Sequence, residues 1–373
     1  MKIAAQAASI VLSLLATSAL AAPVPLSDAQ LSQVVAGEDF TVVNEVSDQA
    51  AIGAPTTDPL AVNAWGLSQG PGTPLWVANN GTGTSTLYST STFSKIPLNV
   101  NIPAPDGSPG APTGTVFTSF AGPGFNVSKN GVSGHSLFLF DSEDGTITGW
   151  SPSVDQHNAI TAVDQSSMGA VFKGLAMLHA DTPMLYAADF TNGQVKAFDS
   201  QFHQTGMFTD TSLPAGYSPF NVQVLKGMVF VSFALHGSGN DEVDGAGLGA
   251  VDVFDTSGNK IRTLVSGGPL NAPWGMVIAP SSFGKFAGAL LVGNFGDGKI
   301  NAFNPTTGAF LGTLDSSGTP LSIDGLWALH EGPDGTVIFS SGPDGESHGL
   351  IGVIRPNFAK ASWAFQSHTT TGH

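Results

Sequence analysis

The sequence contains no cysteine. That excludes disulfides, thiolate metal centres and thiol redox chemistry. The core alone must hold the chain together, which 373 residues can manage because the buried fraction of surface rises with size. Charge is also scarce, at 11% of residues, and 12 Lys and Arg stand against 28 Asp and Glu, for a formal charge of −16. A field of that sign repels phosphate backbones and argues against nucleic acid as a partner. No stretch reaches the roughly 20 apolar residues of a membrane-spanning helix, so a soluble chain is expected. What the chain has in quantity is turn chemistry: 47 Gly and 24 Pro indicate many short strands joined by many turns.

The first residues read as a secretory signal, with Lys2 as the basic end, an apolar stretch from Ile10 to Leu15, and Ala19-Leu20-Ala21 as the cleavage motif. Residues 1–21 are therefore expected to be removed on export to the periplasm or the exterior. Residues 22–39 read as a linker or short helix, in which Ser27 and Gln30 fit a capping box and Leu31, Val34 and Val35 form an apolar stripe. Residues 357–373 form a tail.

Between these ends one pattern recurs. An aromatic residue or proline stands next to a small or Asn position, followed by alternating apolar positions, in Ala64-Trp65-Gly66-Leu67, Pro112-Thr113-Gly114-Thr115, Phe172-Lys173-Gly174-Leu175, Pro219-Phe220-Asn221-Val222, Pro273-Trp274-Gly275-Met276 and Leu326-Trp327-Ala328-Leu329. The steps between small positions are 48, 60, 47, 54 and 53 residues. Periods near 50 residues point to propeller blades. Each opener leads to an apolar run ending in a polar or small residue, then a turn, then an alternating strand. Four turns carry hairpin pairs: Asp144-Gly145, Asn192-Gly193, Asp297-Gly298 and Asp344-Gly345.

Five units have a fourth strand and the sixth lacks one, so Phe40 to Val46 is expected to complete it and close the ring. The prediction is an all-β chain forming a single six-bladed β-propeller over residues 40–356, closed by an N-terminal strand. A β-helix would need a shorter repeat, and a sandwich would not repeat one opener six times.

Asn63-Ala64-Trp65-Gly66-Leu67, the run from Ala78 to Tyr88, Ile102-Pro103-Ala104-Pro105 and Leu264 to Gly275 resemble an uncharacterised family of exported bacterial propellers, some with PEP-CTERM sorting tails. The resemblance extends from about Val46 to Val353. Asn357 to His373 departs from it, having no Pro-Glu-Pro signal, hydrophobic helix or basic end. More distantly, the chain is similar to NHL-repeat and gluconolactonase-like six-bladed propellers.

In such a ring the starts of first strands and the ends of second strands meet on one face, where a site is expected. Asn63, Trp65, Trp274, Asp324 and Trp327 are the ligand-face candidates. As a polar bowl rimmed by indoles they would dock a glycan, peptide or protein; as repeated positions they would instead pack between blades. The second reading follows the gluconolactonase resemblance: a Ca²⁺-dependent lactonase or esterase, with Asn79, Asp141, Asp189 and Asn294 supplying oxygens to the ion. Asp and Asn at strand ends also cap turns, which needs no metal.

The acidic insertion Asn240 to Gly245 begins like a calcium loop, but Val251 stands where the twelfth-position Glu belongs, so a mobile solvated loop is expected. Gly131-Val132-Ser133-Gly134-His135 breaks the nucleophile-elbow pattern, and the nine histidines are scattered. The expectation is a monomeric binding or scaffolding propeller whose ligand the residues do not identify, with lactone or ester hydrolysis as the alternative.

Overall fold

A computed structural model describes residues 39–122 and 124–357; the segments predicted as signal, linker helix and tail lie outside them apart from their border residues Asp39 and Asn357. Six sheets follow one another along the chain, each built on four antiparallel strands, with a short fifth strand added in blades 4 and 6. Their first strands are Ala64–Ser68, Pro112–Phe117, Phe172–Leu178, Tyr217–Leu225, Pro273–Ile278 and Leu326–Glu331, one in each predicted opener. Blade 6 takes its outer strand, Asp39–Ser47, from the start of the described chain. Val43 pairs with Val353, and Val46 with Ile351, which seals the ring as expected. Among the described residues no helix is long and apolar enough to cross a membrane.

Alternation puts both faces of every blade to use, because each sheet is packed on both sides by its neighbours. The apolar clusters accordingly lie between blades. Trp76, Leu87 and Val100 of blade 1 meet Phe138, Phe140 and Trp150 of blade 2, with Trp76 stacked on Phe138 at 4.2 Å between ring centroids. Val251, Val253 and Leu264 of blade 4 meet Met276, Leu290, Val292 and Phe303 of blade 5 in the same way.

The small residue of the opener has a direct cause. A Cβ on Gly66 would be driven into the carbonyl oxygen of Thr113 in the next blade, and one on Gly275 into that of Trp327. First strands approach backbone to backbone around the axis, so a side chain at this position would wedge two blades apart.

Three details depart from the sequence reading. In the turns at Asp144-Gly145, Asn192-Gly193 and Asp297-Gly298 only the glycine has positive φ, whereas at Asp344-Gly345 both residues do. A hairpin of Asn126–Lys129 and Val132–His135 is inserted between the first two strands of blade 2, which accounts for the 60-residue step. The acidic insertion is not a free loop: Glu242–Val243 pairs with Leu235 and His236 of blade 4, extending that sheet.

Candidate functional site

Of the residues preceding the small position in the openers, Trp65, Phe220, Trp274 and Trp327 share one buried cluster, and the Lys173 ammonium lies over the Trp65 and Phe220 rings. In chain order the six residues are Trp65, Thr113, Lys173, Phe220, Trp274 and Trp327. Five are neutral and one is a lysine. The three Trp side chains are 1–2% exposed and form a plug, with Trp65 stacked on Trp327 at 3.6 Å and Trp274 set edge-on to both at 6.0 and 5.8 Å. Phe295 stacks on the far side of Trp327 at 4.1 Å, and Phe190 and Phe220 complete the cluster. Two indoles bind other blades: Trp274 Nε1 donates to the Lys173 carbonyl at 2.8 Å, and Trp327 Nε1 to Asn63 Oδ1 at 3.0 Å. The predicted indole rim is therefore a core, because three flat side chains brought together bury more surface against each other than against solvent.

Above this plug lies the Lys173 ammonium, 5.5 Å from the centres of the Trp65 and Phe220 rings and 5.1 Å from that of Phe190. Its side chain is 3% exposed. Glu242 of blade 4 accepts from it at 3.2 Å, and Glu143 of blade 2 faces it at 3.4 Å. Burial alone would lower the lysine pKa, but the two carboxylates carry it above the usual range. Burial raises that of Glu242, against the pull of the ammonium.

Glu346 of blade 6 completes the arrangement. It accepts from Asn63 Nδ2 at 2.6 Å; burial, together with the nearby charges of Glu242 and Glu143, raises its pKa despite that bond. Asn63 also donates to Asn80, whose own amide donates to Glu143 at 3.0 Å. Hydrogen bonds and ion pairs thus link blades 1, 2, 3, 4 and 6 at one mouth of the axis. Glu346 sits at φ 67°, a left-handed conformation unusual for glutamate, which brings its carboxylate to the mouth.

Of the five ligand-face candidates, Asn63 belongs to this cluster and the three indoles support it from beneath. Asp324 stands apart, accepting from the Asp344 backbone N–H at 2.9 Å. The four predicted metal ligands do not assemble. Asn79 donates to Thr86 at 2.9 Å, and Asp189 pairs with Lys196 at 2.7 Å. Asn294 donates to the Pro269 carbonyl at 2.8 Å and to Asp297 at 3.0 Å.

Asp141 accepts from Thr113 Oγ1 at 2.9 Å and Gly114 N–H at 2.6 Å. Among the described residues no hydrogen bond joins any two of the four. No three Asp, Glu or His side chains among them come together as a group that could hold a metal. Asn79 Oδ1, Asp141 Oδ2 and Asn294 Oδ1 are buried without a protein partner, yet each belongs to a side chain already committed within its own part of the ring. No hydrogen bond or ion pair among these contacts ties the four into one Ca²⁺ site. Each residue ends a second strand, and the nearest groups to satisfy it are those of its own or the adjoining blade.

Complete burial pushes the Asp141 carboxyl up to about 7, only partly countered by the Thr113 and Gly114 bonds. The folded chain therefore holds this proton where the unfolded chain releases it, and stability falls as pH rises from about 4 to 7. Asp141→Asn, neutral throughout while its carbonyl keeps both donors, is expected to remove up to about 4 kcal/mol of that fall. Urea unfolding of both forms at pH 4.5 and pH 8 checks this; parallel curves would refute it.

Lys173, Glu143, Glu242 and Glu346 were not among the sequence candidates. Lys173 had one usable signal, a lone charge at a repeated opener position otherwise filled by Trp, Phe or Thr. Of the glutamates, Glu242 lay in the acidic insertion already singled out, whereas Glu143 and Glu346, in turns of blades 2 and 6, had none.

No protein-family model matches the chain. It is 32% identical over 329 residues to an uncharacterized protein of Acanthamoeba polyphaga mimivirus, covering 84% of this chain and 78% of the relative. A second uncharacterized protein of that virus is 32% identical over 325 residues, covering 84% and 85%. These relatives are viral and lend no support to the expected bacterial origin.

Among solved structures, a streptogramin B lyase superposes with a TM-score of 0.51 at 9% identity, covering 87% of this chain and 99% of its own. The luciferin-regenerating enzyme does so with a TM-score of 0.52 at 11% identity, covering 86% and 95%. A catalytically inactive virginiamycin B lyase from Staphylococcus aureus, with quinupristin, gives 0.50 at 11% identity, covering 85% and 99%. At such identities the likeness establishes a shared propeller fold and nothing about activity.

Proposed function

The chain belongs to the family of these uncharacterized mimivirus proteins, and from that premise we propose that it is a recognition propeller whose binding site is the glutamate-lined mouth over Lys173. One observation carries the reading: two carboxylates from two blades pair with a single buried ammonium, and a third from another blade, Glu346, stands beside them on Asn63. Three carboxyl groups stand against one ammonium, so acidic groups are in excess at the mouth. The strands do not require these groups, and burial opposes ionisation of Glu242 and Glu346. Displaced titratable groups gathered in a cleft are what binding and catalytic sites use.

The fitting ligand class is cationic: an amine or guanidinium presented by a basic peptide or protein. Lys173 already occupies the deepest position, so the ligand docks from outside against Glu143, the more exposed of its two partners at 24%, and against Glu346. Planar guanidinium matches two carboxylate oxygens at once, which favours arginine over lysine. The same proposal places the protein, as a monomer, outside the cell interior, on the secretory pattern of residues 1–21.

Titration calorimetry with a tetra-arginine peptide at low salt tests the site. Binding is expected to weaken at least about tenfold in the double variant Glu143→Gln, Glu346→Gln. It should also fall steeply between 50 and 300 mM salt, roughly as screening lengths shorten. Equal binding of a tetra-glutamate peptide, or an unchanged affinity in the double variant, would exclude the mouth as the site.

A further inference from the structure

On the opposite face, the hairpin inserted in blade 2 brings His135 against Ser119, which follows the first strand of the same blade. His135 Nε2 lies 3.0 Å from Ser119 Oγ, and His135 Nδ1 lies 2.7 Å from the Gly124 carbonyl. A carbonyl only accepts, and of the two that face the ring, Gly124 O at 2.7 Å from Nδ1 is nearer than Ser119 O at 3.2 Å from Nε2, so the tautomer with its proton on Nδ1 is favoured and Nε2 presents its lone pair to the hydroxyl. Thr118 Oγ1 also approaches Nε2, at 3.1 Å, but its one proton is directed to the Ser136 carbonyl. Ser119 remains as the hydroxyl that can share a proton with Nε2. Its other acceptor, the Ala121 carbonyl, is farther at 3.2 Å.

The tautomer is set by backbone. Gly124 sits at φ 93°, and a Cβ there would collide with Ser200. Phe125 N–H bonds the Ser200 carbonyl at 2.5 Å, and Ser136 N–H bonds the Phe125 carbonyl at 2.9 Å, which anchors the hairpin to blade 3. Ser119 and His135, both partly exposed, line a cavity of about 610 Å³ together with Phe125, Met177 and His179. A second cavity of about 550 Å³ shares Ser119, Met177 and His179 and adds Phe117 and Phe120.

We propose that Ser119 and His135 form a nucleophile and base pair acting on carboxylic esters with an apolar chain, the chain lying along Met177, Phe117 and Phe120. Oγ bonds to the carbonyl carbon as its proton passes to Nε2. Collapse of the tetrahedral adduct breaks the ester C–O bond, and the departing alkoxide takes that proton. Water then adds to the acyl-Ser119 ester, giving its proton to Nε2. Oγ leaves and recovers the proton, releasing the acid.

The test uses the full chain with an alkyl fluorophosphonate and p-nitrophenyl butyrate. Peptide mass mapping is expected to place the phosphonyl adduct on Ser119. Ester hydrolysis should be lost in Ser119→Ala, which removes one oxygen and leaves the melting temperature unchanged. His135→Gln should slow labelling about 100-fold. Absence of a Ser119 adduct, equal labelling in a folded His135→Gln protein, or undiminished hydrolysis in Ser119→Ala would each overturn the proposal. If His135→Gln does not fold, the Ser119→Ala comparison decides alone.

Discussion

Truncating Trp327 to alanine is expected to destabilise the protein by about 3–5 kcal/mol, the range for removing a large aromatic from a packed core. Trp327 is the centre of the plug, sandwiched between Trp65 and Phe295 at 3.6 and 4.1 Å. Its Nε1 also holds Asn63, and through Asn63 the carboxylate of Glu346. The loss therefore leaves a void where blades 1, 5 and 6 meet and frees one side of the mouth. Urea unfolding should shift to lower midpoint with an unchanged slope, since the surface exposed on unfolding hardly alters. A variant as stable as the parent that merely failed to bind ligand would mean the indole is a contact residue and not core.

Lys173→Met is expected to cost a similar amount, about 3–5 kcal/mol at pH 8, by a different mechanism. Methionine fills much of the lysine stem's volume over the aromatic floor but removes the charge that compensates Glu242 and Glu143. A buried charge left without its partner costs far more than the pair contributes. The sign of the pH dependence follows from Glu242, whose carboxyl is already raised by burial and rises further without the ammonium.

In the variant the folded state then binds a proton more tightly than the unfolded state, so stability falls as pH rises above the ordinary glutamate range. The deficit should be largest at pH 8 and shrink toward pH 5. Adding Glu242→Gln to Lys173→Met should restore part of it at pH 8 and little at pH 5. Urea titrations of the parent and both variants at both pH values measure this; a deficit independent of pH would show that lost packing, not charge, is responsible.

The blades were legible because their information is local. Alternation along Thr84–Tyr88 or Ala250–Phe254 and the recurrence of the opener depend only on neighbours in sequence, and strands such as Leu75–Asn79 and Leu290–Asn294 fall where the pattern ends them. Ring closure was legible by subtraction, since one unit lacked a strand and one strand lacked a unit. The insertions were harder to read. Asn126–His135 has no strong alternation, and Glu242–Val243 is two residues long, so both are strands by virtue of what they lie beside.

From the amino-acid order alone came the all-β class, the six blades and the joining of the ends, because repeat period and strand alternation are one-dimensional properties. Only the tertiary structure decided that Trp65, Trp274 and Trp327 are a plug, that Asn79, Asp141, Asp189 and Asn294 stay within separate parts of the ring, and that Glu143, Glu242 and Glu346 meet over Lys173. Those groups are up to 203 residues apart, from Glu143 to Glu346. Their meeting depends on the curvature that brings six sheets round one axis, and no pattern along the chain records the distance between side chains on different blades.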